Sequence, residues 1–316
     1  MNRRDFLHFT LIAGACAAGS VRAAEWPDRP LRFVATSAAG SPLDSMMRVL
    51  GKELGELVGQ TVVVENRSGG TGAVGMNLAQ NAAADGLTIV SATGSTSFLM
   101  AEKDSRFKPG DFIFLRALQT EPSSIAVPKD SPFKTMKDLV EALKRDPTTV
   151  NIGGFASAGF HQYVLYRLQQ KAGFSATWVP FQGGNQALLA LLGGHLNAAV
   201  ITPSTASAQI RSGDVRLLGI SSEQRSAFYK DIPTFREQGY DVVETLWRGV
   251  MVVKGTPQPI VYKLVRSLEA VEKRPAWQAF MEENRQDVLP LSQPELQAFV
   301  AKEVADRRRF LETLPR

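Results

Sequence analysis

The sequence predicts an α/β protein divided into two lobes, and three observations carry that reading. Strand-like runs rich in Val, Ile and Phe alternate with amphipathic runs of helical period, which implies a largely parallel sheet covered by helices. The alternation runs from residue 31 to residue 91 and resets at residue 124, so two such units stand side by side. The chain has 316 residues, 44% of them hydrophobic and 21% charged, whereas a single core usually stops growing at roughly 250–300 residues.

The first two dozen residues read as an export signal. Arg3-Arg4-Asp5-Phe6-Leu7 opens an apolar stretch reaching Ala18, too short to span a hydrocarbon core of about 30 Å. Small residues ending in Val21-Arg22-Ala23 follow, which places cleavage after Ala23. The paired arginines suit the twin-arginine route, and a basic start also suits the general secretory route. Cys16, the only cysteine, lies inside this leader and lacks the Leu three positions earlier that lipoprotein processing favours. A soluble, cysteine-free, extracytoplasmic product is expected.

In the remaining chain, residues 31–35 read as a strand, 36–41 as a loop and 42–58 as a helix ending at Gly59. Ser41 suits the N-cap and Pro42 the first helical position. A strand at 61–65, a helix at 72–84 and a strand at 87–91 complete a β-α-β-α-β start. The second unit has strands at 124–127, 150–152, 178–180, 198–201 and 217–220, with helices at 135–145, 160–171, 185–192 and 204–211. After Trp247 comes a strand at 249–253, then helices opened by Pro259, Pro275 and Pro294. Those helices have no sheet of their own and are expected to return over the first unit. The first lobe is thus 24–123 with 247–316, the second is 124–246, and the chain crosses near 122–126 and 244–248. Two crossings make a hinge, and the gap between hinged lobes is where ligands go.

Composition excludes several function classes. One cysteine permits no intrachain disulfide and no cysteine-based zinc or iron–sulfur site. His161 and His195 stand on different elements without a nearby His or Cys, so no metal site is expected. The formal charge of +5 is spread along the chain rather than clustered for a phosphate backbone. Its densest run, Arg307-Arg308-Arg309, reads as the solvated face of a terminal helix beside Asp306 and Glu312.

Two enzyme motifs are present in outline and fail in detail. Gly70-Thr71-Gly72-Ala73-Val74-Gly75 spells G-x-G-x-x-G, the outline of a dinucleotide loop. Glu65-Asn66-Arg67-Ser68 separates it from the preceding strand, and the next strand ends in Ala92-Thr93-Gly94-Ser95 with no acid for a ribose hydroxyl. Around Ser157, Phe155 stands where a nucleophile elbow needs its first glycine. An exported α/β enzyme using the Gly70 loop or Ser157, with His161 or His195 as base, is therefore the alternative reading.

A different pattern recurs. Small polar residues and glycines stand where strands hand over to helices: Ala38-Ala39-Gly40-Ser41, Thr93-Gly94-Ser95-Thr96, residues 153–159, Gln182-Gly183-Gly184-Asn185 and Thr202-Pro203-Ser204-Thr205. Helix N-termini present free N–H groups and about half a positive charge, so they attract anions without Lys or Arg. Repeated at equivalent ends of two α/β units, such turns describe a carboxylate-binding cleft.

These turns and their neighbours resemble the Bug family of periplasmic solute receptors, the binding components associated with tripartite tricarboxylate transporters. The likeness begins at Trp26-Pro27-Asp28-Arg29-Pro30-Leu31, continues through Asp44 and Arg48, and is most specific at Gly59-Gln60-Thr61-Val62-Val63-Val64-Glu65-Asn66-Arg67 with Gly69, Gly70, Gly72 and Gly75. Ala84-Asp85-Gly86, Val179-Pro180-Phe181-Gln182-Gly183, Asp231-Ile232-Pro233-Thr234 and Trp247-Arg248-Gly249 follow in family order. The resemblance implies a two-lobed Venus-flytrap receptor without cofactor or catalysis, periplasmic and monomeric. Its ligand would be a small organic anion and its partner the membrane part of a transporter or a sensor. It assigns Thr36, Ser37, Ala38, Ala39, Gly40 and Ser41 to one side of the ligand, with Asp44 supporting the loop, and Ser157, Ala158, Gln182, Gly183 and Thr202 to the other. Ser95 and Thr96 join the first set through the turn pattern, and Trp247 is a further candidate lining residue. The family's first loop, near Pro-Phe-Pro-Pro-Gly-Gly, is Thr36-Ser37-Ala38-Ala39-Gly40-Ser41 here, so a bulkier acid is expected to fit.

Overall fold

A computed structural model describes residues 26–314 apart from Gln182. The export signal at 1–23, its cleavage after Ala23, and the assignment of Gln182 to the ligand lie outside the described residues.

The strands are β1 (Leu31–Ala35), β2 (Val62–Asn66), β3 (Thr88–Thr93), β4 (Phe112–Pro122), β5 (Ser124–Pro128), β6 (Asn151–Phe155), β7 (Thr177–Phe181), β8 (Ala198–Ile201), β9 (Val215–Ile220) and β10 (Thr245–Val253). The helices are α1 (Pro42–Val58), α2 (Ala73–Gln80), α3 (Gly94–Ala101), α4 (Met136–Arg145), α5 (Phe160–Ala172), α6 (Gly184–Leu192), α7 (Ser207–Ser212), α8 (Gln258–Val271), α9 (Pro275–Glu283) and α10 (Gln293–Thr313). They form two five-stranded sheets, ordered β2-β1-β3-β10-β4 and β7-β6-β8-β5-β9.

Each sheet has a central strand buried on both faces, as a helix-covered parallel strand must be. In β1, Leu31, Phe33 and Ala35 pack towards α1 and α8, while Val34 packs towards α3 and α10. The α1 helix starts where the Ser41 side chain accepts from the Asp44 N–H and stops where Gly59 turns left-handed at φ 70°.

The sheets are mixed rather than largely parallel. In one, β10 is antiparallel to β3 and β4; in the other, β5 is antiparallel to β8 and β9. The reason lies in the crossings. β4 passes through Ser123 into β5, and the chain returns between β9 and β10. A strand that enters from the other lobe starts at the gap and must run away from it. The other strands of both sheets therefore run towards the gap, and their C-terminal ends, with the turns that follow, face it.

The closing helices do more than cover the first sheet. α8 and α9 pack on α1, and α10 lies along α3 and β4, but the last turns of α10 reach the second lobe. Phe310 stands 5.3 Å from Tyr163 and 5.0 Å from Tyr166, centroid to centroid, on α5. Behind the crossings this contact continues as a buried ionic network. Arg307 bonds Glu303 at 2.8 Å and Glu244 at 3.0 Å, Arg167 bonds Glu244 at 2.6 Å, and Glu303 accepts from Ser97 and the Trp247 indole. Burial works against the charged guanidinium of Arg307, yet Glu303 and Glu244 hold its pKa above the ordinary value.

Candidate functional site

On the first lobe, the candidate site is the loop from β1 to α1. Asp44, 3% exposed, is its hub. Its carboxylate accepts from the Gly40 N–H at 2.8 Å, from Asn66 Nδ2 at 2.9 Å and from Arg48 Nε at 3.1 Å. Burial opposes that charge, but the bonds from Arg48, Gly40 and Asn66 prevail and hold the Asp44 carboxyl below the usual range. Asn66 also donates to the Ser37 carbonyl, and the Ser37 and Ser41 hydroxyls bond at 2.7 Å. Asp44 stands in the first turn of α1 and answers that helix's positive end itself. What the loop leaves to a ligand is the N–H groups of Ser37, Ala38 and Ala39, which make no bond to the described residues.

Thr36 is fixed from below, its N–H donating to Ser91 Oγ at 2.9 Å. Behind it lies the Gly70 loop. A Cβ on Gly75 would stand 2.7 Å from Thr36 Cγ2, and one on Gly72 3.6 Å from Thr36 Cβ. These glycines let α2 pack against the site loop, which accounts for the G-x-G-x-x-G spelling without a nucleotide.

The second first-lobe turn joins β3 to α3. Thr93 caps the helix, accepting from Ser95 N–H, while Thr96 Oγ1 accepts from Thr93 N–H, both at 3.0 Å. Thr96, 4% exposed, serves the cap. Ser95 keeps a hydroxyl with no partner among the described residues.

Across the gap, the turn from β6 to α5 is strained. Ala156 and Ala158 have φ of 60° and 55°, a left-handed conformation that costs a residue with a Cβ about 1–2 kcal/mol. The Trp178 indole donates to the Ala156 carbonyl at 3.0 Å, and Ala158 N–H donates to Gln162 Oε1 at 2.6 Å. These bonds hold Ser157 exposed between the two alanines. Such strain concentrates at ligand sites. Gly183 precedes α6, and Gly184 packs against Thr205, so this turn adjoins the one after β8. There the Thr202 hydroxyl bonds Thr205 Oγ1 at 2.9 Å.

The histidines form no catalytic pair. His161 is buried in the first turn of α5 with both ring nitrogens unpartnered among the described residues, and burial pushes its pKa down to about 4. His195 precedes β8, at the end of the second sheet remote from the gap.

Trp247 does not line the gap. It is fully buried, its ring 6.3 Å from Phe114 and its indole N–H on Glu303. Alternation along β10 turns its neighbour Arg248 to the opposite face, where Arg248 pairs with Thr93 at the gap end of β3. Arg248 Nη1 donates to Gln286 Oε1 at 2.8 Å. Gln286 in turn bonds Glu121, and Glu121 accepts from the Ser204 N–H of the second lobe at 2.8 Å. The family-like stretch Trp247-Arg248-Gly249 marked this place in the sequence, but strand alternation selects the arginine. A cavity of about 710 Å³ lies on the other face of the hinge beside Thr120, Glu244 and Glu303. None of the turn residues above lines it.

A family model described as "Tripartite tricarboxylate transporter family receptor" matches residues 46–315. The chain belongs to that receptor family. A UPF0065 protein of Cupriavidus necator is 29% identical over 322 residues, covering 99% of this chain and 98% of that protein. A TctC solute binding protein from Polaromonas superposes with a TM-score of 0.83 at 24% identity, over 92% of this chain and all of that one. MatC from Rhodopseudomonas palustris, solved with bound malate, gives 0.74 at 23% identity over 90% and 99% of the two chains. A further R. palustris protein, solved with adipate, gives 0.76 at 22% over 92% and 98%. This member of the tripartite tricarboxylate receptor family is a solute-binding protein, not an enzyme.

Proposed function

We propose that this receptor is exported to the periplasm, grips a small carboxylate-bearing metabolite between its lobes as a monomer, and presents the closed form to a tripartite tricarboxylate-type membrane transporter or to a sensor. One observation supports the reading: strands from both sheets direct their C-terminal ends towards the crossings between the lobes, and the turns there are small, with amides at Ser37–Ala39 and hydroxyls at Ser95 and Ser157 that bond no described residue. Ligands of open α/β sheets gather at such ends. The malate and adipate bound by two structural neighbours support an acid as the solute.

Closure requires that the solute favour the closed state through contacts made only there. A micromolar affinity, about −8 kcal/mol, is within reach of a few charge-assisted bonds with some apolar burial. Calorimetry and thermal-shift screening across mono-, di- and tricarboxylates and aromatic acids test the proposal. At least one acid is expected to bind stoichiometrically without turnover. No binder at millimolar concentration would sink it.

A further inference from the structure

We infer that Arg248 is the specificity-determining residue of this receptor, taking one carboxylate of the solute at the floor of the gap, with Gln286 as its positioning residue. This rests on the receptor reading proposed above. The observation behind it is an unusual state for a largely buried arginine. Among the described residues no carboxylate lies within ion-pair distance of its guanidinium, whose one hydrogen bond goes to the neutral amide of Gln286. Its Nε and Nη2 bond no described residue, yet they are not sealed away from solvent either. A guanidinium seldom stays deep in a protein without an anion, because its desolvation is otherwise uncompensated.

The geometry says where those free donors open. Arg248 stands opposite Thr93, whose side chain caps α3 at the gap, and on the face of β10 away from Trp247. Glu121, a neighbouring carboxylate, is 1% exposed and already accepts from Ser204 and Gln286. The arginine therefore has a fork of donors at the gap end of its strand and no acid among the described residues to fill it, the arrangement that receives a carboxylate side-on.

The bonds also join the arginine to the second lobe, through Gln286 and Glu121 to the Ser204 N–H. A carboxylate on Arg248 engages a chain of contacts that spans the hinge. The amides of Ser37–Ala39 and the Ser157 hydroxyl are left for a second polar group, so the site favours an acid with two anionic ends over a monocarboxylate.

The test is calorimetry of the wild-type protein and of Arg248→Gln and Arg248→Lys with malate, adipate and monomethyl adipate, beside thermal melts of each protein without added acid. Wild-type protein is expected to bind at least one diacid, and adipate at least tenfold tighter than its half-ester. Arg248→Gln should weaken the bound diacid by about ten- to a hundredfold, since bonds to charged groups are strong. Arg248→Lys should fall between, keeping the charge and losing the fork. Without acid, Arg248→Gln should melt at or above the wild-type temperature. Equal diacid affinity in wild type and Arg248→Gln, or a melt lowered by several degrees without acid, would overturn the role of Arg248 and leave the receptor reading intact. Wild-type protein that binds none of the three acids would overturn this inference; only the failure of the broader acid panel would end the receptor reading.

Discussion

Arg248 and Arg307 are two arginines buried against the same hinge, and their surroundings are opposite. Arg307 sits behind the crossings between Glu303 and Glu244, with its guanidinium 3.8 Å from the Tyr163 ring centroid. Arg248 sits in front, beside the gap, with one amide for a partner. The difference separates two uses of a buried charge. Behind, charge is compensated inside the protein and ties α10, α5 and β10 together. In front, charge is left for something that arrives.

The largest expected effect comes from the rear network. Arg307→Ala leaves Glu303 buried without its cation and Glu244 with Arg167 alone, a change that should cost about 3–5 kcal/mol in urea unfolding. A loss under about 1 kcal/mol would mean that the rear arginine is no more committed to the fold than the front one, and the contrast would collapse.

His161 sharpens the contrast, since it is a buried polar group at the front whose ring nitrogens have no hydrogen-bond partner among the described residues. Its folded pKa is pushed down to about 4 from the ordinary 6.5. The unfolded chain therefore takes up a proton before the folded one does, and stability falls as pH drops from about 6.5 to about 4. The full effect is about 3 kcal/mol. Melting curves of wild-type and His161→Phe protein should diverge over that interval, with the variant the less pH-sensitive. Parallel curves would show that the imidazole is not sequestered.

The smallest effect concerns strain in the front wall. Ala158→Gly removes the Cβ penalty at φ 55° and should raise stability by up to about 1 kcal/mol, although glycine ordinarily costs about that much elsewhere. A destabilised variant would show that the left-handed turn stores no strain.

How far the sequence reveals this molecule depends on whether local signals and tertiary demands agree. α1 is legible because Ser41, Pro42 and Gly59 mark both ends of a strongly amphipathic run, and β1 because its apolar residues are buried on both faces. α3 is not, because Gly94-Ser95-Thr96-Ser97 looks like more loop until the bonds of Thr93 with the Ser95 N–H and the Thr96 hydroxyl begin the helix. β4 is missed for another reason: with Arg116, Gln119 and Glu121 inside it, it has no clean alternation, since Arg116 serves an ion pair and Glu121 the hinge. The antiparallel strands follow from the crossings, a property of the whole chain that no window contains.

At the site, the small turns are visible in composition, and their convergence is a matter of topology. Trp247 and Arg248 show the limit. Both stand in one family-like stretch, and only pairing with Thr93 and Thr120 decides that the arginine faces the gap and the tryptophan the core. The packing of Gly75 against Thr36 likewise separates a structural glycine motif from a nucleotide loop.

On the proposed reading, both lobes close on one acid. The only cysteine is Cys16, so spin labels at Lys52→Cys on α1 and Leu189→Cys on α6, in a Cys16→Ser background, report the distance between lobes without interference. Pulsed dipolar spectroscopy should give a shorter and narrower distance distribution when the acid that binds in calorimetry is added at saturation. An unchanged distribution at full occupancy would contradict the account.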